Sequence, residues 1–442
     1  MRPGALRRVK TTGGPVTEVA FGDTIGMARW PEFLPGGAHV LFQVRDADPD
    51  RRGVYVASMS GNGSGLRRLI NSDWTAHYGS GHLLFLDGST LMAQPFDVRR
   101  LELSGAPVTV ARNVGGSSTA YGAFSVSANA VLAYTGGLST QSELRWVDRS
   151  GRLGDVLVPK GDYVDLSLSP DESRVAYSRV DPQRQAPDVW ILDLARGTST
   201  RITSERLVDA GPIWSPSGDQ IVFRSNRTST IGVELYVTSS SPGGTVRRIH
   251  GLEDSGANTP SNAMPHSWGA DGRVVFSQAT MEAGYGIWST SVDQKNPTAV
   301  LDTQNNELQA AVSRDGRWMA YTSDQSGHNE IYVQDYPAGT QRTLVSTNGG
   351  MQPQWRGDGR ELYYIQPDGM FMQVAVRAGA RVDPAAPMPL FKTAIPTMLN
   401  PYRMDYVPAA DGQRFLMKVP VNEPPPAITV VSNWPALLTR RN

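Results

Sequence analysis

The chain has 442 residues, with 42 Lys plus Arg against 42 Asp plus Glu, 45 Gly, 31 Pro, no Cys and 39% hydrophobic residues. Charges that cancel remove the electrostatic case for a nucleic-acid or anionic-membrane partner. Without cysteine there is no disulfide framework, no thiolate metal site and no cysteine nucleophile.

At the N-terminus, Met1 to Arg8 is basic, but no apolar run follows, so it does not have the form of a secretory leader. Leu6–Val9 and Val16–Val19 are short strand candidates. From there a motif recurs: a Gly, Pro, Asn or Asp turn, then a hydrophobic triplet that usually ends in an aromatic. Its first copies are degenerate: Leu34-Pro35-Gly36-Gly37 with Val40-Leu41-Phe42, Gly79-Ser80-Gly81 with Leu83-Leu84-Phe85, and Ser127-Ala128-Asn129 with Val131–Tyr134. Regular copies follow at Ser169-Pro170-Asp171-Glu172, Ser215-Pro216-Ser217-Gly218, Ala270-Asp271-Gly272, Arg314-Asp315-Gly316, Gly357-Asp358-Gly359 and Ala410-Asp411-Gly412. Measured at the end of each triplet, the nine copies are spaced by 43, 49, 43, 46, 53, 45, 43 and 52 residues. A period in the mid-forties is that of a propeller blade.

Each copy predicts strands. Proline and Asp-Gly supply the backbone angles of a tight turn, and a β-branched or aromatic run follows at once. About ten residues on comes a third-strand run, as in Val54–Val56, Leu144–Val147, Val189–Ile191, Leu235–Val237 and Ile331–Val333. Shorter runs such as Thr200–Thr203, Val246–Ile249 and Arg342–Val345 supply a fourth. One such sheet cannot cover both its faces, whereas radial stacking buries each against its neighbour.

The expected fold is therefore an all-β propeller of four-stranded blades. A single ring of eight or nine blades would fill residues 27–434, with residues 1–26 closing it and 435–442 as a tail. The last copy lacks an outer strand, which Leu6–Val9 or Val16–Val19 could provide. The alternative is a six-bladed ring from about Tyr163 onward, with Met27–Val158 belonging to extra N-terminal blades. The apolar stretch Ala427–Val431 and Trp434–Leu438 is broken by Ser432, Asn433 and Pro435, short of the roughly 20 residues a spanning helix needs, so no direct membrane insertion is expected.

The Ser-Pro-Asp-Gly type turn followed by a strand ending in an aromatic resembles the TolB-type, WD-repeat-like propeller family across essentially the whole chain. Leu91–Asp97, Trp146–Gly151, Glu330–Gln334, Asp411–Leu416 and Ile428–Trp434 are similar to the C-terminal propeller halves of bacterial, especially acidobacterial, membrane-anchored serine/threonine protein kinases. That resemblance implies a periplasmic or extracytoplasmic sensor or interaction module. The chain departs from it in carrying neither His-Arg-Asp nor Asp-Phe-Gly, and Gly61–Gly65 has no strand-borne Ala-x-Lys after it. Kinase activity is not expected.

Chemistry is sparse. No Gly-x-Ser-x-Gly elbow occurs, and no hydrolase domain is expected before Asn442. Of the six histidines, His39, His77, His82, His250, His266 and His328, none pairs at i, i+4; His77 and His266 fall just before first strands, where loops could face the channel. Ordinary backbone-bonded histidines are the plainer expectation. Asp46, Asp48 and Asp50 begin like a calcium loop, but Arg51 stands where the glycine belongs and Ala57 where the bidentate Glu should be, so a solvated connection is expected. Trp30, Trp214, Trp268 and Trp355 precede turns at equivalent positions, which suits packing between blades more than a recognition platform. Asp171, Asp271, Asp315, Asp358 and Asp411 are expected to cap their turns.

No catalytic, metal or cofactor site is assigned. The leading expectation is a non-catalytic scaffold or sensor presenting loops to a protein, peptide or envelope-associated ligand, with no nucleic-acid partner. The second is a propeller lyase or glycan hydrolase with a metal in the central funnel.

Overall fold

In the computed structural model, residues 6–19, 27–45, 50–59, 65–116, 121–136, 141–181, 186–205, 208–227, 232–251, 262–280, 284–293, 297–379, 381–393, 395, 403–421 and 427–439 are described. Their regular structure is strand, apart from a short 3-10 helix at Trp434–Thr439. No helix among them is long and apolar enough to cross a membrane. The chain forms two compact units, Met1–Ser139 with Glu423–Asn442, and Thr140–Asn422.

Thr140–Asn422 contains six antiparallel strand sets, or sheets, the first and last of which share the long strand Leu153–Leu168 and so run on as one seven-stranded sheet. The first is built from the C-terminal half of Leu153–Leu168, then Arg174–Val180, Pro187–Asp193 and Thr198–Arg201. The next three open with Asp209–Trp214, Met264–Trp268 and Glu307–Val312, and each adds three further strands in sequence order. The fifth opens with Met351–Trp355, and its third strand, Met370–Ala378, pairs with both Val382–Pro384 and Met388–Lys392.

The sixth sheet joins the two ends of the unit. Tyr406–Pro408 and Arg414–Pro420 come from the C-terminal end, Gln141–Asp148 pairs along the full length of Arg414–Pro420, and the N-terminal half of Leu153–Leu168 completes the set. The outer strands sought near Leu6–Val9 or Val16–Val19 are thus supplied from within the unit. Arg7–Arg8 pairs instead with Thr17–Glu18.

The physical reason for closure lies in the core. Alternating residues of each central strand face opposite neighbours, so apolar clusters form between sheets. Val189 and Ile191 pack with Trp214, Phe223 and Tyr236 between the first and second sheets. The same arrangement repeats between successive sheets, and the sixth cluster joins Leu144 and Leu416 of the last sheet to Tyr163, Val175 and Tyr177 of the first. Arg149, just after Gln141–Asp148, adds a polar tie: its Nη1 donates to Glu361 Oε2 at 2.9 Å, Tyr363 OH at 3.2 Å and Gly412 O at 2.8 Å. Six of the nine sequence copies fall in this unit.

The other unit holds the three degenerate copies. Its sheets open with Met27–Phe33, Ala76–Gly79 and Phe124–Val126, and the third is completed by Thr429–Ser432 pairing with Val131–Tyr134. Trp434 is fully buried there against Leu84, Leu91 and Leu132.

Candidate functional site

The opening strand of a sheet in Thr140–Asn422 is short and irregular for a repeated reason. Register shifts fall between Tyr163 and Leu166, Ala210 and Ile213, Pro265 and Ser267, Leu308 and Ala311, and Met351 and Gln354. A bulge of this kind re-aims side chains. Four residues before the residue that opens each turn stand Asp165, Gly211, Pro265, Gln309, Gln352 and Asp405. Gly211, Gln309 and Gln352 take φ values of +65°, +56° and +60° there. A left-handed angle costs a side-chain-bearing residue about 1 kcal/mol or more, so Gln309 and Gln352 hold it only because their amides are bonded in place.

Those bonds run from sheet to sheet. Gln309 Oε1 accepts from Thr322 Oγ1 at 3.0 Å and from the Gln352 amide at 2.9 Å, while Gln309 Nε2 donates to Arg403 O at 3.3 Å. Gln352 Nε2 donates to Asp405 Oδ2 at 2.7 Å and its Oε1 accepts from the Asp405 amide at 2.8 Å. Asp405 pairs with Lys418, whose Nζ also donates to Val164 O at 2.9 Å. Asp165 Oδ1 accepts from the Met404 amide at 3.2 Å, and the Gly211 amide donates to Ser178 Oγ at 3.1 Å. This polar belt links the fourth, fifth, sixth, first and second sheets through fully or largely buried groups, where each missing partner would cost about 1–3 kcal/mol.

Beside the belt is a small, partly open cavity of about 70 Å³, lined among others by Asp165, Arg224, His266, Gln309, Gln354 and Arg403. Gly211, at φ +65°, lies against the Arg224 side chain: a Cβ there would be 3.6 Å from Arg224 Nε, in ordinary contact. Arg224 Nη2 stands 3.7 Å from Asp165 Oδ2, beyond hydrogen-bond distance. His266 sits in the bulge, with Nε2 2.7 Å from Ser277 Oγ. Burial first, and the Arg224 charge second, hold its pKa down at about 3, so it is neutral at neutral pH. Ser277 is fully buried. A hydroxyl with no access and an imidazole that weak as a base make poor nucleophilic machinery.

His77 and His266 lie in opening strands rather than in loops before them, and they belong to different units. His77 Nδ1 meets Glu32 Oε2 at 2.5 Å and its ring packs on Phe124. His250 is buried against Gln278, and His328 contacts Glu330. No group of three or more potential metal ligands occurs among the described residues. Asp46 and Asp48 lie outside the described residues.

The tryptophans divide. Trp214 Nε1 donates to Ser167 O at 3.1 Å and Trp355 Nε1 to Ala311 O at 2.9 Å, each tying its sheet to the one before, and Trp268 packs on the cluster between the second and third sheets. Trp30 is not their equivalent. It lies four residues before Leu34, at the bulge position, with φ +54° and 41% exposure, edge-on to Tyr121. The aspartates cap their turns: Asp171, Asp271, Asp315, Asp358 and Asp411 accept from the backbone amide two residues on.

Sequence reasoning missed Asp165, Arg224, Gln309, Gln352, Arg403 and Asp405. A column drawn four residues before each turn would have found most of the belt. Arg224 and Arg403 have no such column, because they come from a second strand and a connection.

No protein-family model matches the chain. Over 206 residues, 45% of its length, it is 24% identical to an uncharacterized peptidase of Bacillus subtilis, and the match covers 29% of that protein. It is 24% identical over 215 residues, 46% of its length, to an uncharacterized protein of Agrobacterium fabrum, of which 69% is covered. Among solved structures it is similar to TolB from Acinetobacter baumannii, with 15% identity, 80% of this chain and 79% of that chain covered, and a TM-score of 0.45.

Proposed function

We propose that the chain is a non-catalytic binding propeller of the TolB type, that Thr140–Asn422 is a six-bladed ring rather than part of one ring of eight or nine, and that its inner-strand cavity receives a protein or peptide partner. One observation carries this reading: successive opening strands converge polar side chains on one cavity, on a frame held by a buried core between every pair of sheets. A rigid frame with few, fixed polar groups is how binding sites obtain specificity. The resemblance to kinase propeller halves extends the proposal to an extracytoplasmic sensor role.

The test is selection of a random-peptide display library on the full chain, repeated on Gln354→Ala and Arg403→Glu. Peptides that bind the wild type and are lost with the cavity variants support the reading. Enrichment indifferent to both variants moves the site elsewhere, and no enrichment overturns peptide recognition. The similarity to a curated peptidase gives a second reading, hydrolysis, which labelling of the full chain by a fluorophosphonate would support.

A further inference from the structure

We propose that the cavity of Thr140–Asn422 binds a carboxylate group through the guanidinium groups of Arg224 and Arg403; this rests on reading that unit as a binding ring.

The argument is one of unspent donors. A guanidinium carries five N–H groups in a planar fork that matches two oxygens of a carboxylate. Among the described residues neither Arg224 nor Arg403 makes a side-chain hydrogen bond, although both are only partly exposed and both line the cavity. Arg224 is 15% exposed, and among the described residues its one ionic neighbour is Asp165 at 3.7 Å. Other enclosed arginines of the same unit do hold carboxylates or carbonyls. Arg227 grips Asp209 with two bonds of 2.9 Å, and Arg149 spends its fork on four partners, Glu361, Tyr363, Gly412 and Gln373. Asp165 is 5% exposed, and its Oδ2 is buried without a hydrogen bond. The wall therefore holds poorly bonded polar groups of both signs, an arrangement native interiors otherwise avoid.

Charge selects the ligand. Two arginines against Asp165 leave one net positive charge on the lining, with His266 neutral, and Asp405 is compensated by Lys418. A monoanion balances that, whereas a phosphate dianion would be opposed by Asp165. The amides of Gln309 and Gln354 give the wall further polar groups. A free organic acid and the C-terminus of a peptide present the same group.

The test titrates the full chain by calorimetry, in a chloride buffer free of carboxylates, with propionate and propionamide, with acetyl-trialanine as free acid and as amide, and with inorganic phosphate. At least one acid is expected to bind, with its amide weaker by about tenfold or more, the effect of losing a charge-assisted hydrogen bond. Arg403→Gln and the double variant Asp165→Asn/Arg224→Gln should each lose about tenfold or more by the same argument, the double change stranding no buried charge. Tighter propionate points to a free acid and a tighter tripeptide acid to a peptide terminus.

Equal binding of acid and amide, unchanged binding in both variants, tighter binding of phosphate than of either acid, or no binding by any probe overturns the proposal. If the double variant does not fold, Arg403→Gln decides, since that guanidinium makes no hydrogen bond among the described residues. Displayed peptides that bind wild type and Arg403→Gln equally would sink the carboxylate site and leave the binding ring standing.

Discussion

His266 shows how a single residue couples the cavity to pH. Its folded pKa of about 3 lies below the usual histidine value near 6.5, so as pH falls the unfolded chain takes up the proton first. Stability is then lost progressively below about pH 6.5 and is unaffected above it. In thermal melts between about pH 7 and pH 4, His266→Gln should lose less in melting temperature than the wild type. Parallel curves would mean that His266 is charged in the folded protein. The Asp405–Lys418 pair makes a second case. Both residues are more than nine-tenths buried, so Lys418→Met should cost about 3–5 kcal/mol in urea unfolding by leaving Asp405 uncompensated, and adding Asp405→Asn should recover much of it. Trp355→Phe, which removes the bond to Ala311 O, should cost about 0.5–1.5 kcal/mol in the same measurement.

At the scale of the element, Gln141–Asp148 has the largest structural consequence. It is the third strand of the last sheet although it stands first in its unit, so the ends of Thr140–Asn422 are held by seven backbone pairings to Arg414–Pro420 and by the cluster around Leu144. Leu144 is 1% exposed and Leu153, on the adjoining strand, 48%. Leu144→Ala should therefore cost about 2–5 kcal/mol and Leu153→Ala less than about 0.5 kcal/mol, read from denaturant midpoints. The hydrophobic runs were legible here because strand patterning is local: Leu144–Val147 was recognisable as a third strand. Which sheet it joins was not, because its partner lies more than 260 residues away. Likewise the turn aspartates declared themselves by spacing, while Trp30 was misplaced because its apolar character hides a bulge that only pairing with His39–Arg45 exposes.

For the whole molecule, the two units make different demands on the ends of the chain. Trp434 fills a core made entirely by its own unit, brought there by Thr429–Ser432. Trp434→Ala should cost about 3–5 kcal/mol. By amide hydrogen exchange the loss should appear in Leu83–Leu86 and Val131–Tyr134, with the central strands of Thr140–Asn422 keeping their protection. Uniform loss would mean that the units unfold as one. The sequence by itself determined the blade: turn chemistry and alternating apolar runs act over a few residues, and a period in the mid-forties repeats them. Only the tertiary structure decided how the nine copies divide between two units and which side chains share a cavity, because strand pairing between the ends, bulge direction and the placing of Arg224 and Arg403 in one lining depend on contacts between segments the sequence keeps far apart.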